Sequence, residues 1–195
     1  MLMYTAALIK AYVPQCAQEE ADRRLMLDLI AQYGDALLSR DCLAAHFTAS
    51  SMILSPDGSR VLMAYHNLYD SWAWTGGHAD GQDDPLSVAV REAREETGAA
   101  ALALLTPQIV ALDVLPVWGH VKRGAYVPTH LHLNLTYALC ADDAAPVRVK
   151  PDENSGVRWL AADALEQYVS EKNMLPIYQK ILRQIHALTA RTFFE

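Results

Sequence analysis

Cysteine is scarce in this chain of 195 residues: Cys16, Cys42 and Cys140 are odd in number, widely spaced and form no CxxC pair. Neither a disulfide framework nor a structural zinc site is expected, and a reducing cytoplasm fits best. Long apolar runs are missing too. The longest apolar or glycine stretch, Gly98 to Leu105, falls far short of the ~18 residues that span a bilayer, so no transmembrane helix is expected. Met1 to Ile9 is apolar but has no basic residue before Lys10, which argues against a secretory signal. Basic side chains are few, 16 against 23 acidic ones, leaving a charge of −7. That balance argues against a protein that tracks nucleic acid by neutralising phosphates. Small phosphorylated substrates stay admissible, because a bound cation reverses the local field.

What is present reads as a folded domain. The chain is 52% hydrophobic and 20% charged, and its length amounts to about one domain of roughly 150 residues plus an extension. Met26, Leu29, Ile30, Tyr33 and Leu37 recur at helical spacing and predict a helix over about 19–38, weakened by Gly34. Residues 1–44 are read as a helical N-terminal extension and 45–195 as the main domain. Phe47–Leu54 and Val61–His66 predict a hairpin about the Pro56-Asp57-Gly58 turn. A strand is expected over Ile109–Val117. Leu131, Leu133, Leu135, Tyr137 and Leu139 alternate with His130, His132, Asn134 and Thr136, giving one core face and one polar face. A short strand at Gly156–Leu160, a short helix near Ala162–Tyr168 and a terminal helix follow. The terminal helix places Leu175, Tyr178, Ile181, Leu182, Ile185 and Leu188 on one side. Strands mixed with helices at both ends imply an α/β layered domain.

The chemistry concentrates between Gly77 and Gly98. Asp84 is a good N-cap, Pro85 suits the first helical position, and Gly98 suits a left-handed C-terminal cap. At 100° per residue, Leu86, Ala89, Val90, Ala93 and Thr97 form the expected sheet-facing side. Val88, Glu92, Glu95 and Glu96 fall on the opposite side. Like charges three and four residues apart cost about 0.2–0.5 kcal/mol per pair, and the helix dipole disfavours anions at this end. Arg91 relieves part of this by pairing with Glu95. A cluster that breaks local rules points to a functional site, and a hard divalent cation, which prefers oxygen ligands, is the chemistry that would use it.

Gly77, five residues, Asp83, seven residues, then Arg91-Glu92-Ala93-Arg94-Glu95-Glu96-Thr97-Gly98-Ala99 resembles the Nudix box. The six identities Gly77, Arg91, Glu92, Glu95, Glu96 and Gly98 would coincide by chance at roughly one start position in ten million. Asp83 stands where the family has Glu, and Ala93 and Ala99 where it prefers larger aliphatic residues. The resemblance implies an α/β/α sandwich around a mixed β-sheet. It also implies hydrolysis of a nucleoside diphosphate linked to another group, with Mg2+ or Mn2+. Glu95 and Glu96 would be the leading metal ligands, with Glu92 a third and the Gly77 carbonyl a fourth. Arg91 would orient the glutamates, and Asp83 and Gly98 would support the loop and the helix end. The general base would be Glu96 or Glu153. Trp74, Lys122, Arg123, His130 and His132 are candidates for substrate contact. A homodimer is compatible with the resemblance.

Two alternatives differ in kind. One is a non-catalytic ligand sensor on the same fold; such modules lose box carboxylates, which this chain keeps. The other is an isopentenyl diphosphate isomerase, faintly matched by Trp74-Thr75-Gly76-Gly77-His78. That enzyme needs a cysteine where Gly76 stands.

Overall fold

A computed structural model of the protein describes residues 2–122 and 124–192. The chain opens with helices α1 (Tyr4–Ala11) and α2 (Ala17–Tyr33) and a 3-10 turn (Gly34–Leu38). Strands β1 (Ala45–Leu54), β2 (Arg60–His66), β3 (Ser71–Ala73) and β4 (Thr75–His78) precede helix α3 (Pro85–Thr97). Then come β5 (Ala103–Leu104), β6 (Ala111–Val117), β7 (His120–Lys122), β8 (Ala125–Val127), β9 (His130–Cys140) and β10 (Asn154–Ala161). Helix α4 (Leu175–Thr192) closes the described chain.

The main sheet runs β10-β2-β1-β9-β5, with β3 on β2, β4 on β1 and β6 on β9. It is mixed: β1 and β9 pair in parallel from Ala45↔Leu131 to Leu54↔Cys140, and the other pairs are antiparallel. Strand alternation splits β1 between two layers. Ala45, Phe47 and Ala49 share a core with Leu133 and Leu135 of β9, Val88 and Ala89 of α3, and Ile9 and Met26 of α1 and α2. Met52 and Leu54 point the other way, into a core with Tyr178, Ile181 and Ile185 of α4. On that second face the start of β1 is polar. Thr48 Oγ1 and Ser50 Oγ donate to Asn134 Oδ1 at 2.9 and 2.8 Å, and Asn134 Nδ2 donates to Thr136 Oγ1 at 3.1 Å.

The expected α/β sandwich with a mixed sheet and N-terminal helices is what the chain adopts, with several local differences. The helix expected through residue 38 ends at Tyr33, where Gly34 takes φ +53°, a conformation glycine reaches without steric cost. Helix α1 escaped the sequence because its cap is remote. Met3 offers no capping side chain; instead Asp83 accepts the N–H groups of Met3, Tyr4 and Thr5 at 2.7, 2.8 and 2.9 Å. The helix expected near 162–168 shrinks to a single turn of 3-10 helix, Leu165–Gln167. Leu188 is exposed rather than on the buried side of α4. Helix α3 is also rotated from the expected orientation. Val88 is fully buried, Glu96 is 6% exposed, and Leu86 and Val90 are only half-buried. The buried stripe therefore includes part of the acidic face.

A buried ionic node ties α2 and α4 to β6. Lys180 Nζ of α4 lies 2.6 Å from Asp113 Oδ1 and 3.2 Å from Glu19 Oε1. Glu19 is fully buried and Asp113 is 1% exposed. Tyr12 Oη and Gln184 Nε2 donate to Glu19 at 2.8 and 2.9 Å. Burial pushes Asp113 up to about 6, against the pull of Lys180.

Candidate active site

Three stretches meet at the site: β4, α3 and the 150–154 loop before β10. Asp84 Oδ1 accepts the Ser87 N–H at 3.2 Å with Pro85 following it, and Gly98 ends the helix at φ +66°. The start and stop signals read from the sequence are thus the ones that set α3, and the helix ladder fixes where the glutamates stand.

Glycine lets the helix come close to β4. A Cβ on Gly77 would overlap the Glu92 carboxylate, so any other residue there would displace Glu92. Beside it, Glu96 Oε1 accepts the Gly76 N–H at 3.0 Å. From the third stretch, Asn154 Nδ2 donates to the Glu96 carbonyl at 2.9 Å, fixing the loop that carries Glu153. Oxygens of Glu92, Glu96 and Glu153 then lie within 4.8 Å of one another.

Burial and mutual charge perturb the group. Burial pushes the Glu96 carboxyl up to about 8; the Gly76 N–H opposes this, while the charges of Glu92 and Glu153 add to it. Lys150 Nζ supplies partial relief, 3.1 Å from Glu95 Oε2 and 3.0 Å from Glu153 Oε1. Despite desolvation, these bonds hold Lys150 above its ordinary value. Arg91 Nη2 bonds Glu92 Oε1 at 2.8 Å, its Nε lies 3.9 Å from Glu95 Oε1, and its Nη1 donates to Gln82 Oε1 at 2.9 Å.

The structure therefore brings Glu92, Glu96, Glu153, Gly77 and Arg91 together. Glu95 stands outside the close group, its side chain 46% exposed between Arg91 and Lys150. Asp83 serves the loop by gripping α1; although burial opposes it, the Thr5, Tyr4 and Met3 N–H groups hold its carboxyl below the ordinary range. The same loop is tied by a bidentate Arg40–Asp80 pair at 2.8 and 2.9 Å and by the Gly81 N–H on the Leu38 carbonyl. Segment 2–44 thus braces the approach to α3. At the far end of α3, Gly98 leaves room for the Arg148 side chain, and the Arg148 N–H bonds the Thr97 carbonyl at 2.8 Å.

The substrate-contact candidates scatter. Trp74 packs edge-on against Tyr178 of α4, centroids 5.3 Å apart, a core position. Lys122 ends β7, and Arg123 lies outside the described residues. His130 and His132 face the polar side of the sheet, Nε2 to Nε2 at 3.3 Å. Sequence reasoning missed Lys150 and Asn154; a lysine and an asparagine flanking Glu153 were the available signal. It also missed His46, whose importance appears only when β1 and β9 pair. A side chain at Gly76 would crowd Ser50 Oγ and meet the Ala49 carbonyl at 2.8 Å, leaving no space for the cysteine an isomerase requires.

Comparison with known proteins gives the family and the fold. The NUDIX domain model matches residues 45–185. The chain belongs to the Nudix family. Among curated proteins, it is 39% identical over 54 residues to the CMP-5'-(N-acetyl-N-hydroxy-3-aminopropyl)phosphonate hydrolase of Streptomyces rubellomurinus. That match covers 26% of this chain and 26% of the relative. Among solved structures, it resembles an Ap4A hydrolase binary complex from C. elegans at TM-score 0.53 and 17% identity, covering 74% of this chain and 97% of that one. A NUDIX-family hydrolase from Clostridium perfringens gives TM-score 0.52 and 20% identity, covering 71% and 96%. At these identities the solved structures speak to fold. No described helix is long and apolar enough to cross a membrane.

Proposed function

We propose that this chain is a divalent-cation-dependent hydrolase that splits the phosphoanhydride link of a nucleoside diphosphate derivative. The observation that carries the reading is the convergence of Glu92, Glu96 and Glu153 within 4.8 Å beside a glycine that lets them gather. The donor set fits a hard cation. Burial, with the charges of Glu92 and Glu153 adding to it, holds Glu96 near 8, and an ion with a preference for oxygen would offset the gathered negative charge. Magnesium, or manganese in its place, is the ion this chemistry selects.

Glu92, Glu96 and Glu153 would hold the ion with the Gly77 carbonyl, and Glu95 would be a further ligand. Such an ion polarises phosphoryl oxygens, offsets charge on the leaving group and lowers the pKa of a bound water. Arg91 keeps Glu92 and Glu95 oriented. Glu96 is fixed by the Gly76 N–H and would serve as ligand. Glu153 sits half-buried on a loop, ion-paired with Lys150 at 3.0 Å, and would accept the proton of the attacking water through the oxygen it does not give the ion. The free thiols of Cys16, Cys42 and Cys140 fit a reducing, cytoplasmic setting. The homodimer expectation is checked by sedimentation.

The test is a substrate panel with magnesium and product identification. It comprises ADP-ribose, sugar nucleotides, dinucleoside polyphosphates, oxidised nucleoside triphosphates, capped RNA and a CMP-linked phosphonate of the kind named for the Streptomyces relative. Cleavage at a phosphoanhydride is expected for at least one member. Retained magnesium binding with no cleavage of any member would make the chain a ligand sensor instead.

A further inference from the structure

A second group of metal-ligating side chains lies outside the carboxylate site. Parallel pairing of β1 and β9 sets His46 opposite His132, and His130 stands two residues earlier on the same face of β9. Ring centroids of His46 lie 4.7 Å from His130 and 5.0 Å from His132. One ring nitrogen from each of the three falls within 4.8 Å of the others. His78 of β4 adds a fourth imidazole, its centroid 5.1 Å from His46 and 4.9 Å from His132. We propose that His46, His130 and His132 form a second metal site, built for a borderline divalent transition ion of the zinc class, with His78 in reach of the remaining coordination position.

Three observations support it. The first is separation. Zinc–imidazole bonds of about 2.0–2.1 Å put two ligand nitrogens of a tetrahedral ion roughly 3.3–3.4 Å apart, and His130 Nε2 and His132 Nε2 stand 3.3 Å apart in a hydrogen bond that a bound ion would replace. The second is tautomer. His130 Nδ1 lies 2.8 Å from the Pro128 carbonyl and His46 Nδ1 lies 3.4 Å from the Cys42 carbonyl. A carbonyl only accepts, so each Nδ1 carries the proton and each Nε2 presents a lone pair. A backbone carbonyl on the far nitrogen is how proteins orient metal-bound imidazole. The third is an unmet demand. His46 is 4% exposed, and its Nε2 has no hydrogen-bond partner among the described residues. A buried acceptor left unpaired costs free energy, and a cation at the centre of the group satisfies it.

Ligand chemistry separates the two groups. Imidazole nitrogens suit zinc and its neighbours in the transition series, whereas magnesium keeps to oxygen. The carboxylates and the histidines would therefore load independently.

Cobalt(II) is the probe, because tetrahedral cobalt absorbs in the visible. The chelator-treated protein is titrated with Co2+ and followed by absorbance, then challenged with Zn2+ and separately with excess Mg2+. One cobalt per chain with tetrahedral bands is expected, displaced by zinc and retained in magnesium. His132→Gln, at a half-buried position, and His46→Gln should each weaken cobalt binding at least about tenfold with circular dichroism unchanged. Should His46→Gln fail to fold, His132→Gln decides alone. Glu92→Gln should leave the bands in place. Absence of tetrahedral bands in the wild type, their survival in His132→Gln, or their loss in Glu92→Gln would each overturn the proposal.

Discussion

Replacing Glu96 with glutamine should stabilise the metal-free protein while removing its metal-dependent turnover. The substitution keeps the size of the side chain and an oxygen for the Gly76 N–H, which Glu96 now accepts at 3.0 Å. What it removes is a titration. The folded protein holds the Glu96 proton up to about 8, against an ordinary value of 4.5. The native state therefore binds that proton more tightly than the unfolded chain does. Stability of the metal-free wild type is undiminished below pH 4.5 and falls as pH rises towards about 8, beyond which the loss is complete. At 1.36 kcal/mol per unit, the variant should lead by under about 1 kcal/mol near pH 5, about 3 near pH 7 and about 4–5 near pH 9. Urea unfolding followed by tryptophan fluorescence, with chelator present, measures that widening gap. Added magnesium should stabilise the wild type, by binding the native state alone, and leave the variant where it was. A gap that stays constant across this pH range would show that Glu96 is not held protonated and would refute the electrostatic argument for the site.

Other expectations follow from neighbouring contacts. Glu95→Gln should retain the fold and lower magnesium-dependent turnover at least about a hundredfold, since a catalytic metal supplies several kcal/mol; wild-type rates would confine the metal to Glu92, Glu96 and Glu153. Asp83→Ala should cost about 1–2 kcal/mol in denaturant melts, the range for losing a helix cap. Because Asp83 titrates below the ordinary range, its contribution is present at neutral pH and is lost as pH falls through its folded value. The wild type and Asp83→Ala should therefore converge in acid. Lys180→Met should destabilise by about 3–5 kcal/mol, because Asp113 and Glu19 then lose the cation that compensates their burial; a near-neutral effect would mean that water or protonation already compensates them.

Much of the site was legible because its rules are local. Asp84, Pro85 and Gly98 mark the ends of α3 within one short window, and the 3.6-residue repeat places the glutamates relative to each other without tertiary information. The rotation of α3 was not legible. Counting Glu92, Glu95 and Glu96 as one outward face ignored that Gly77 lets the helix turn that face towards β4, so Glu96 is buried and Glu95 is left at the rim. Contacts across long separations were hidden as well. Asp83 caps α1, the 150–154 loop returns Glu153 to the helix, and the partnership of His46 with His132 exists only through parallel strand pairing. Sequence periodicity predicts which way a side chain faces; it does not name the strand beside it. Trp74 shows the opposite error, an aromatic next to the box that serves the α4 core.

The parallel seam between β1 and β9 also bears on when the molecule can come into being. Thr48 and Asn134, typical of the seam, are 86 positions apart, and closing so large a loop carries an entropic cost before any contact rewards it. During synthesis the ribosome releases the first partner long before the second exists. The glutamate helix can form early, but it has no finished platform until β9 has emerged, and it lacks Glu153 until later still. Nascent chains stalled between these points should be helical and inert, and refolding should be slower than the short local hairpins alone would suggest.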